Sequence, residues 1–154
     1  MKISRRLLAL LLCLCALLSL SGAAFAAEPA PFYLNVFVEG AGECRVRAYE
    51  ESYPGNLYLS LSDLSQALNG TTKQFLFGYS KADDTFAVAT GRPAGAPETD
   101  VIVRERDGAV YLDYTRSRLF VDGGERRYYA FRRDSSNDLY LSLTDVQLDR
   151  KSVV

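Results

Sequence analysis

The stretch Leu57-Tyr58-Leu59-Ser60-Leu61-Ser62-Asp63 returns 82 residues later as Leu139-Tyr140-Leu141-Ser142-Leu143-Thr144-Asp145. The match extends outward: Gly42, Glu43, Arg45 and Ala48 recur as Gly124, Glu125, Arg127 and Ala130, so ten of the 23 positions from Gly42 to Leu64 are identical without a gap. Upstream, Val38-Glu39-Gly40 recurs as Val121-Asp122-Gly123. A constant offset of this kind marks a duplicated supersecondary unit, and a unit this short needs a neighbour to bury its apolar face.

The first copy is β-rich. Tyr33 to Val38 is aromatic and β-branched, Glu39 to Gly42 supplies a turn, and Cys44 to Tyr49 reads as a second strand. Tyr53-Pro54-Gly55-Asn56 marks another turn before a third strand, Leu57 to Leu61. Ser62 is the candidate N-cap of a short helix, with Asp63 adding negative charge at its positive end. Leu64, Ala67 and Leu68 give that helix one apolar stripe, and Asn69-Gly70 stops it. A hairpin follows from Lys73 to Tyr79 and Thr85 to Thr90, with Phe75 and Phe77 on one face of the first arm and Phe86, Val88 and Thr90 on one face of the second.

The second copy stops soon after its helix start, where Asp149-Arg150-Lys151 breaks the apolar stripe. Val101–Val103 and Ala109–Leu112 flank Asp107-Gly108, a pair suited to a tight turn, so a hairpin over Val101–Tyr114 is expected to supply the strands this copy lacks. These elements predict a β-rich α+β fold of tandem antiparallel β units, each with one short helix and the second unit shortened. Residues 32–91 are the complete copy, 92–98 a Pro/Gly-containing linker, and 99–154 the hairpin with the shortened copy.

Residues 1–26 read as an export signal. Lys2, Arg5 and Arg6 precede an apolar run from Leu7 to Leu20, and Ala24-Phe25-Ala26 fits a small-residue cleavage site. A membrane anchor is the rival, because the apolar run approaches the ~20 residues a spanning helix needs. The cleavage site favours a secreted product that begins at Ala27, continues through a Pro/Ala linker to Pro31, and has no further membrane segment. Cys13 and Cys15 leave with the signal, and each follows a leucine rather than the small residue a lipid-modified cysteine needs. Cys44 then stands alone as a half-buried strand residue, unable to form an internal disulfide. Loss of three basic residues leaves 15 basic against 19 acidic side chains, a net charge of −4, which argues against nucleic acid as the partner.

The chain has no histidine. That excludes Ser-His-Asp and Cys-His catalysis. Carboxylates remain: Asp63 and Asp145 recur and suggest a glycosidase pair, but helix capping accounts for both. Asp83, Asp84, Glu50 and Glu51 lie in acidic turns without the spacing of a calcium loop. Neither a metal nor a cofactor is expected. Arg126, Arg127, Arg132 and Arg133, interleaved with Tyr128, Tyr129 and Phe131, form the one basic cluster able to hold an anionic polymer; outward-facing arginines on a strand are the simpler explanation. We take Arg126, Arg127, Tyr129, Arg132 and Arg133 as the candidate binding residues. The ten tyrosines could also form an exposed patch that grips carbohydrate or protein.

Gly55-Asn56-Leu57-Tyr58-Leu59-Ser60-Leu61-Ser62-Asp63-Leu64 resembles the G-N-x-Y-x-x-L-R-D-L signature of the copper amine oxidase N-terminal-like, or stalk, domain of secreted Firmicutes proteins. Asn69 to Phe75 and Phe77-Gly78-Tyr79 resemble that family's N-G-T-x-K-Q-F and x-G-W elements. Ser62 stands where arginine is usual and Tyr79 where tryptophan is usual. The resemblance implies a compact β-rich accessory module of the cell envelope. It does not imply copper chemistry, which needs three histidines. The expected function is a secreted, non-catalytic stalk or interaction module binding wall polymer or a protein partner. A minimal carboxylate-dependent hydrolase, and a structural spacer or fragment of a longer surface protein, stay open. Expressed in a secreting host, the exported protein should begin at Ala27, as read by intact mass; a product retaining residues 1–26 would overturn the cleavage.

Overall fold

Strand β1 (Phe32–Val38) and strand β2 (Gly42–Glu50) form an antiparallel hairpin whose turn uses Gly40 and Gly42 at φ of +86° and +87°. The computed structural model describes residues 28–99, 101–133 and 136–144. The export signal expected at residues 1–26 and Asp145 onward lie outside the described residues, and with them most of the helix expected in the second copy. Strand β3 (Leu57–Ser60) pairs antiparallel with β2 and runs straight into helix α1 (Leu61–Ala67). Strands β4 (Phe75–Ser80) and β5 (Thr85–Thr90) make the expected hairpin. The second copy supplies β6 (Arg118–Val121), β7 (Gly124–Arg126), β8 (Ala130–Phe131) and β9 (Tyr140–Ser142). The fold is β-rich α+β, as expected, built as a five-stranded sheet β1-β2-β3-β9-β8 and a four-stranded sheet β4-β5-β6-β7.

The duplication is written into the first sheet as a local twofold relation. Leu59 lies opposite its own counterpart Leu141, flanked by Tyr58 opposite Ser142 and Ser60 opposite Tyr140. Outside this pair, Ala48 opposes Leu59 as Ala130 opposes Leu141, and Tyr49 opposes Tyr58 as Phe131 opposes Tyr140. The second hairpin also keeps the register of the first. Leu119 opposes Arg126 near the tip, and the Tyr114–Phe131 bridge continues the same pairing at the base. Its turn, Asp122-Gly123, has φ of +50° and +81°, as a two-residue hairpin turn requires.

Between base and tip the second hairpin leaves the ladder and crosses to the other sheet, where β6 pairs parallel with β5. Asp84, at the β4–β5 turn, draws it there. Its carboxylate accepts from Ser117 Oγ at 2.9 Å and its carbonyl from the Arg118 N–H at 3.2 Å. The β4–β5 hairpin thereby serves the second copy, and this corrects the expectation for Val101–Tyr114. No hairpin forms there: Asp107 and Gly108 are both held by Arg104, and the segment runs as an irregular strap along the first copy. Arg104 donates to the Pro31 carbonyl, and Val110 bonds to Glu50 and Ser52, each at 2.8 Å. An Asp-Gly pair makes a hairpin only if its flanks pair with each other, and here the first copy captures them.

The strap is used because the first sheet is apolar on both faces. One face, carrying Phe32, Val46, Ala48 and Leu59, packs on Ala67 of α1, and Leu61, Ala130 and Leu139 continue it to Phe86 and Leu119 of the second sheet. The opposite face carries Tyr49, Tyr58, Phe131 and Tyr140, covered by Val110 and Leu112 of the strap. The repeat-related Tyr49 and Phe131 meet edge to face at 4.9 Å, a contact worth about 0.5–1.5 kcal/mol beyond its buried area. Leu139 is fully buried where the two sheets meet. Leu139→Ala should lower unfolding free energy by about 2–5 kcal/mol in urea titration; a loss below about 1 kcal/mol would mean the sheets do not share a core.

Candidate functional site

Strand β3 turns into α1 after Ser60, and the turn leaves polar groups stranded on both sides. The first three N–H groups of α1 have no partner within the helix. Ser60 Oγ accepts from the Asp63 N–H at 3.0 Å, so Ser60 is the N-cap, and the strand ends there rather than at Leu61. Ser62, expected as the cap, is the second helical residue, and its N–H goes to Asp138 Oδ1 at 3.0 Å. The Leu61 N–H goes to the Leu139 carbonyl at 2.9 Å. Both of these acceptors belong to the second copy.

Arg47 is caught in the same knot. Because β3 has already turned away, its backbone N–H finds no strand partner and donates to Asp63 Oδ2 at 2.7 Å. Its guanidinium grips the same carboxylate with two bonds, at 2.8 Å from Nε and 2.6 Å from Nη2. Asp138 Oδ2 lies 3.5 Å from Nη2, and Glu98 Oε2 3.5 Å from Nη1. Asp138 is fully buried and also accepts from Ser60 Oγ at 2.5 Å and from its neighbour's N–H at 2.9 Å. Burial pushes its pKa up to about 7, against the pull of Ser60, the Ser62 N–H and Arg47. Asp63 sits in the first turn of α1, as expected, and is also the counter-ion of Arg47. Arg47, Asp63 and Glu98 meet Tyr33 and Arg45 in a surface cleft of about 350 Å³, so its acids enter already paired.

A second polar cluster lies on the strap side. Glu51, expected in an acidic turn, is buried, and two phenols hold its carboxylate: Tyr58 donates at 3.1 Å and Tyr114 at 2.8 Å. This clamp fixes Tyr114 beside Tyr129, ring centroids 6.2 Å apart in an edge-on arrangement. Two further tyrosines, Tyr111 on the strap and Tyr53 just after β2, are strongly exposed. The Ser52 N–H bonds to the Val110 carbonyl, which sets Tyr53 and Tyr111 on adjoining segments with 82% and 84% of their surface exposed. Tyr114 is half exposed and Tyr129 more than half.

The arginine cluster does not hold together. Arg132 is bound to Asp84 at 2.7 Å and lies over the Tyr79 ring at 4.3 Å. Arg133 is paired with Glu28 at 2.9 Å. Arg126 and Arg127 are exposed, so of the five candidate residues only Tyr129 joins the tyrosine surface. Asp84, weighed as a calcium ligand, spends its carboxylate on Ser117, Tyr79 and Arg132. Among the described residues no cluster of three or more acidic or cysteine side chains could hold a metal, and no helix is long and apolar enough to cross a membrane.

Comparison with family models, with curated proteins and with solved structures finds no match to this chain.

Two outcomes follow from the buried knot. Arg47→Ala leaves Asp63 and Asp138 without their cation and should cost about 3–5 kcal/mol in chemical denaturation; a loss under about 1 kcal/mol would show the charges are not coupled. Asp138 titrates near 3.8 when unfolded and near 7 when folded. Between those values the folded state holds a proton the unfolded state lacks, so the stability this group adds is complete below about pH 4 and disappears as pH rises through 7. The denaturation midpoint of Asp138→Asn, taken relative to the native protein at each pH, should therefore rise from pH 4 to pH 8; a fall would reverse the sign.

Proposed function

We propose that this protein is a secreted, non-catalytic module of the cell envelope that holds wall glycan on the tyrosine surface formed by Tyr53, Tyr111, Tyr114 and Tyr129. The observation that carries this is the rigid display of exposed phenols: Tyr114 is clamped by a buried carboxylate and packs on Tyr129. Flat aromatic rings with polar tips, held at little conformational cost, suit sugar rings, which present an apolar face and a rim of hydroxyls. The stalk-domain resemblance of Gly55–Leu64 points the same way, to an accessory role at the envelope. The export signal puts the product where wall polymer is found.

Non-catalytic action is supported by the state of the acids. A carboxylate hydrolase needs one acid free to protonate a leaving group and a second free to attack or to activate water. Asp63 is bound to Arg47 three times, and Asp138 is sealed from solvent. Binding should be tested by co-sedimentation with purified cell wall. Tyr111→Ser and Tyr129→Ser together should reduce the retained fraction at least about fivefold, with thermal unfolding unchanged. Undiminished retention of the double variant, or none by the native protein at low salt, would defeat the proposal.

A further inference from the structure

The cleft beside the buried knot has one wall on the first sheet and one on the chain leading into the strap. Tyr33 lies opposite Arg47 in the β1–β2 ladder and Asn35 opposite Arg45, so Tyr33, Arg45 and Arg47 share one face. Glu98, Thr99 and Val101 line the other side. A volume of about 350 Å³ lies near the lower end of the roughly 300–1,000 Å³ that small-molecule sites occupy. The space suits one small ligand unit.

The charges here are not used alike. Asp63 spends both oxygens on Arg47. Glu98 meets Arg47 Nη1 through one oxygen at 3.5 Å, the outer limit of a hydrogen bond. Among the described residues its other oxygen and the Thr99 hydroxyl have no partner. Arg45 lies over the Tyr33 ring, 3.9 Å from its centroid, and among the described residues meets no carboxylate. Contact with the ring holds the guanidinium in place and leaves its forked N–H donors free, an arrangement that suits a planar carboxylate.

We infer that this cleft binds the carboxylate-bearing sugar unit of an acidic glycan, with Arg45 taking the carboxylate and Glu98 and Thr99 the hydroxyls. Arg45 calls for an anion. Glu98, a like charge on the same cleft, disfavours a doubly charged one such as phosphate. An ionised carboxylate can only accept, so the rest of the ligand must donate, as sugar hydroxyls do. The duplication favours hydroxyls over an ammonium as those donors. At the offset of 82, Arg45 and Arg47 correspond to Arg127 and Tyr129, and Tyr129 belongs to the surface proposed to hold glycan. The inference rests on that glycan reading and adds an acidic unit to it.

Titration of the exported protein with sodium glucuronate should move the NMR signals of the Arg45 side chain and Tyr33 ring to saturation, with a Kd on the order of 1–10 mM. Glucose, acetate, glycine and inorganic phosphate should each bind at least about tenfold more weakly. Arg45→Lys keeps the charge but loses the fork, and should weaken glucuronate at least about tenfold with thermal unfolding unchanged. Glu98→Gln removes the like charge and should tighten phosphate at least about threefold. Tyr111→Ser with Tyr129→Ser should leave glucuronate binding intact, so failure of the tyrosine surface and failure of the cleft are read separately. No saturable shift by about 50 mM glucuronate, undiminished binding by Arg45→Lys, or phosphate no tighter in Glu98→Gln would each overturn the proposal. So would native binding of glucose, acetate, glycine or phosphate as tight as that of glucuronate.

Discussion

Asp138 carries a carboxylate into a place where no solvent reaches, and the four donors around it decide how the two halves of the chain meet. It takes the hydroxyl of Ser60, the N–H of Ser62 and its neighbour's N–H, and it stands beside the guanidinium of Arg47. A buried carboxylate is tolerated only when its lone pairs are met. Here those partners come largely from the first copy, while the acid comes from the second. Helix α1 has seven residues, too few to persist alone, and its free N–H groups are met by Asp138 and the Leu139 carbonyl. The helix that completes the first copy therefore depends on the second copy being in place.

From this knot the rest of the sheet follows by simple geometry. Asp138 and Leu139 must sit at the start of α1, which puts β9 directly against β3 with Leu141 opposite Leu59. That pairing brings Tyr49, Tyr58, Phe131 and Tyr140 onto one face, where they need cover, and the strap supplies it with Val110 and Leu112. The strap in turn sets Tyr111 and Tyr114 on the surface on either side of its buried Leu112, with Tyr114 bonded to the enclosed Glu51. Tyr114 thus stands on the outer side of a layer whose inner side closes the core, and its bond to Glu51 and its contact with Tyr129 hold it there.

What could be seen in the sequence was local. The β1–β2 and β4–β5 hairpins follow from alternation and turn residues, and the duplication from a constant offset. Choices between two locally equivalent options could not be seen. Ser60 and Ser62 are both reasonable caps; Asp138, distant in sequence, binds one side chain and the other's backbone. Asp107-Gly108 and Asp122-Gly123 are both good turn pairs, and only the second has flanks that pair with each other. The residues that matter most are not among the identities shared by the two copies. Arg47 stands against Tyr129 and Asp138 against Asn56, so the buried ion cluster on one side and an exposed tyrosine on the other arise where the copies differ.

An antiparallel strand pair centred on identical residues is the form a twofold interface takes between two separate molecules. In this chain that interface joins two copies of one sequence and has been made covalent, so loop-closure entropy replaces the much larger cost of bringing two molecules together. Once the halves are tethered they need not stay alike. The first copy keeps its hairpin in line with the sheet, with β1 as the outer strand bridged to the strap at Phe32. The second bends its hairpin across to β5 and closes the base of its own edge with the Tyr114–Phe131 bridge. Without β9, β3 would be a bare edge and α1 would lose its acceptors; without β3, the three residues of β9 would have only the two of β8 for a partner. Neither copy contains a complete sheet, and the unit that folds is the pair.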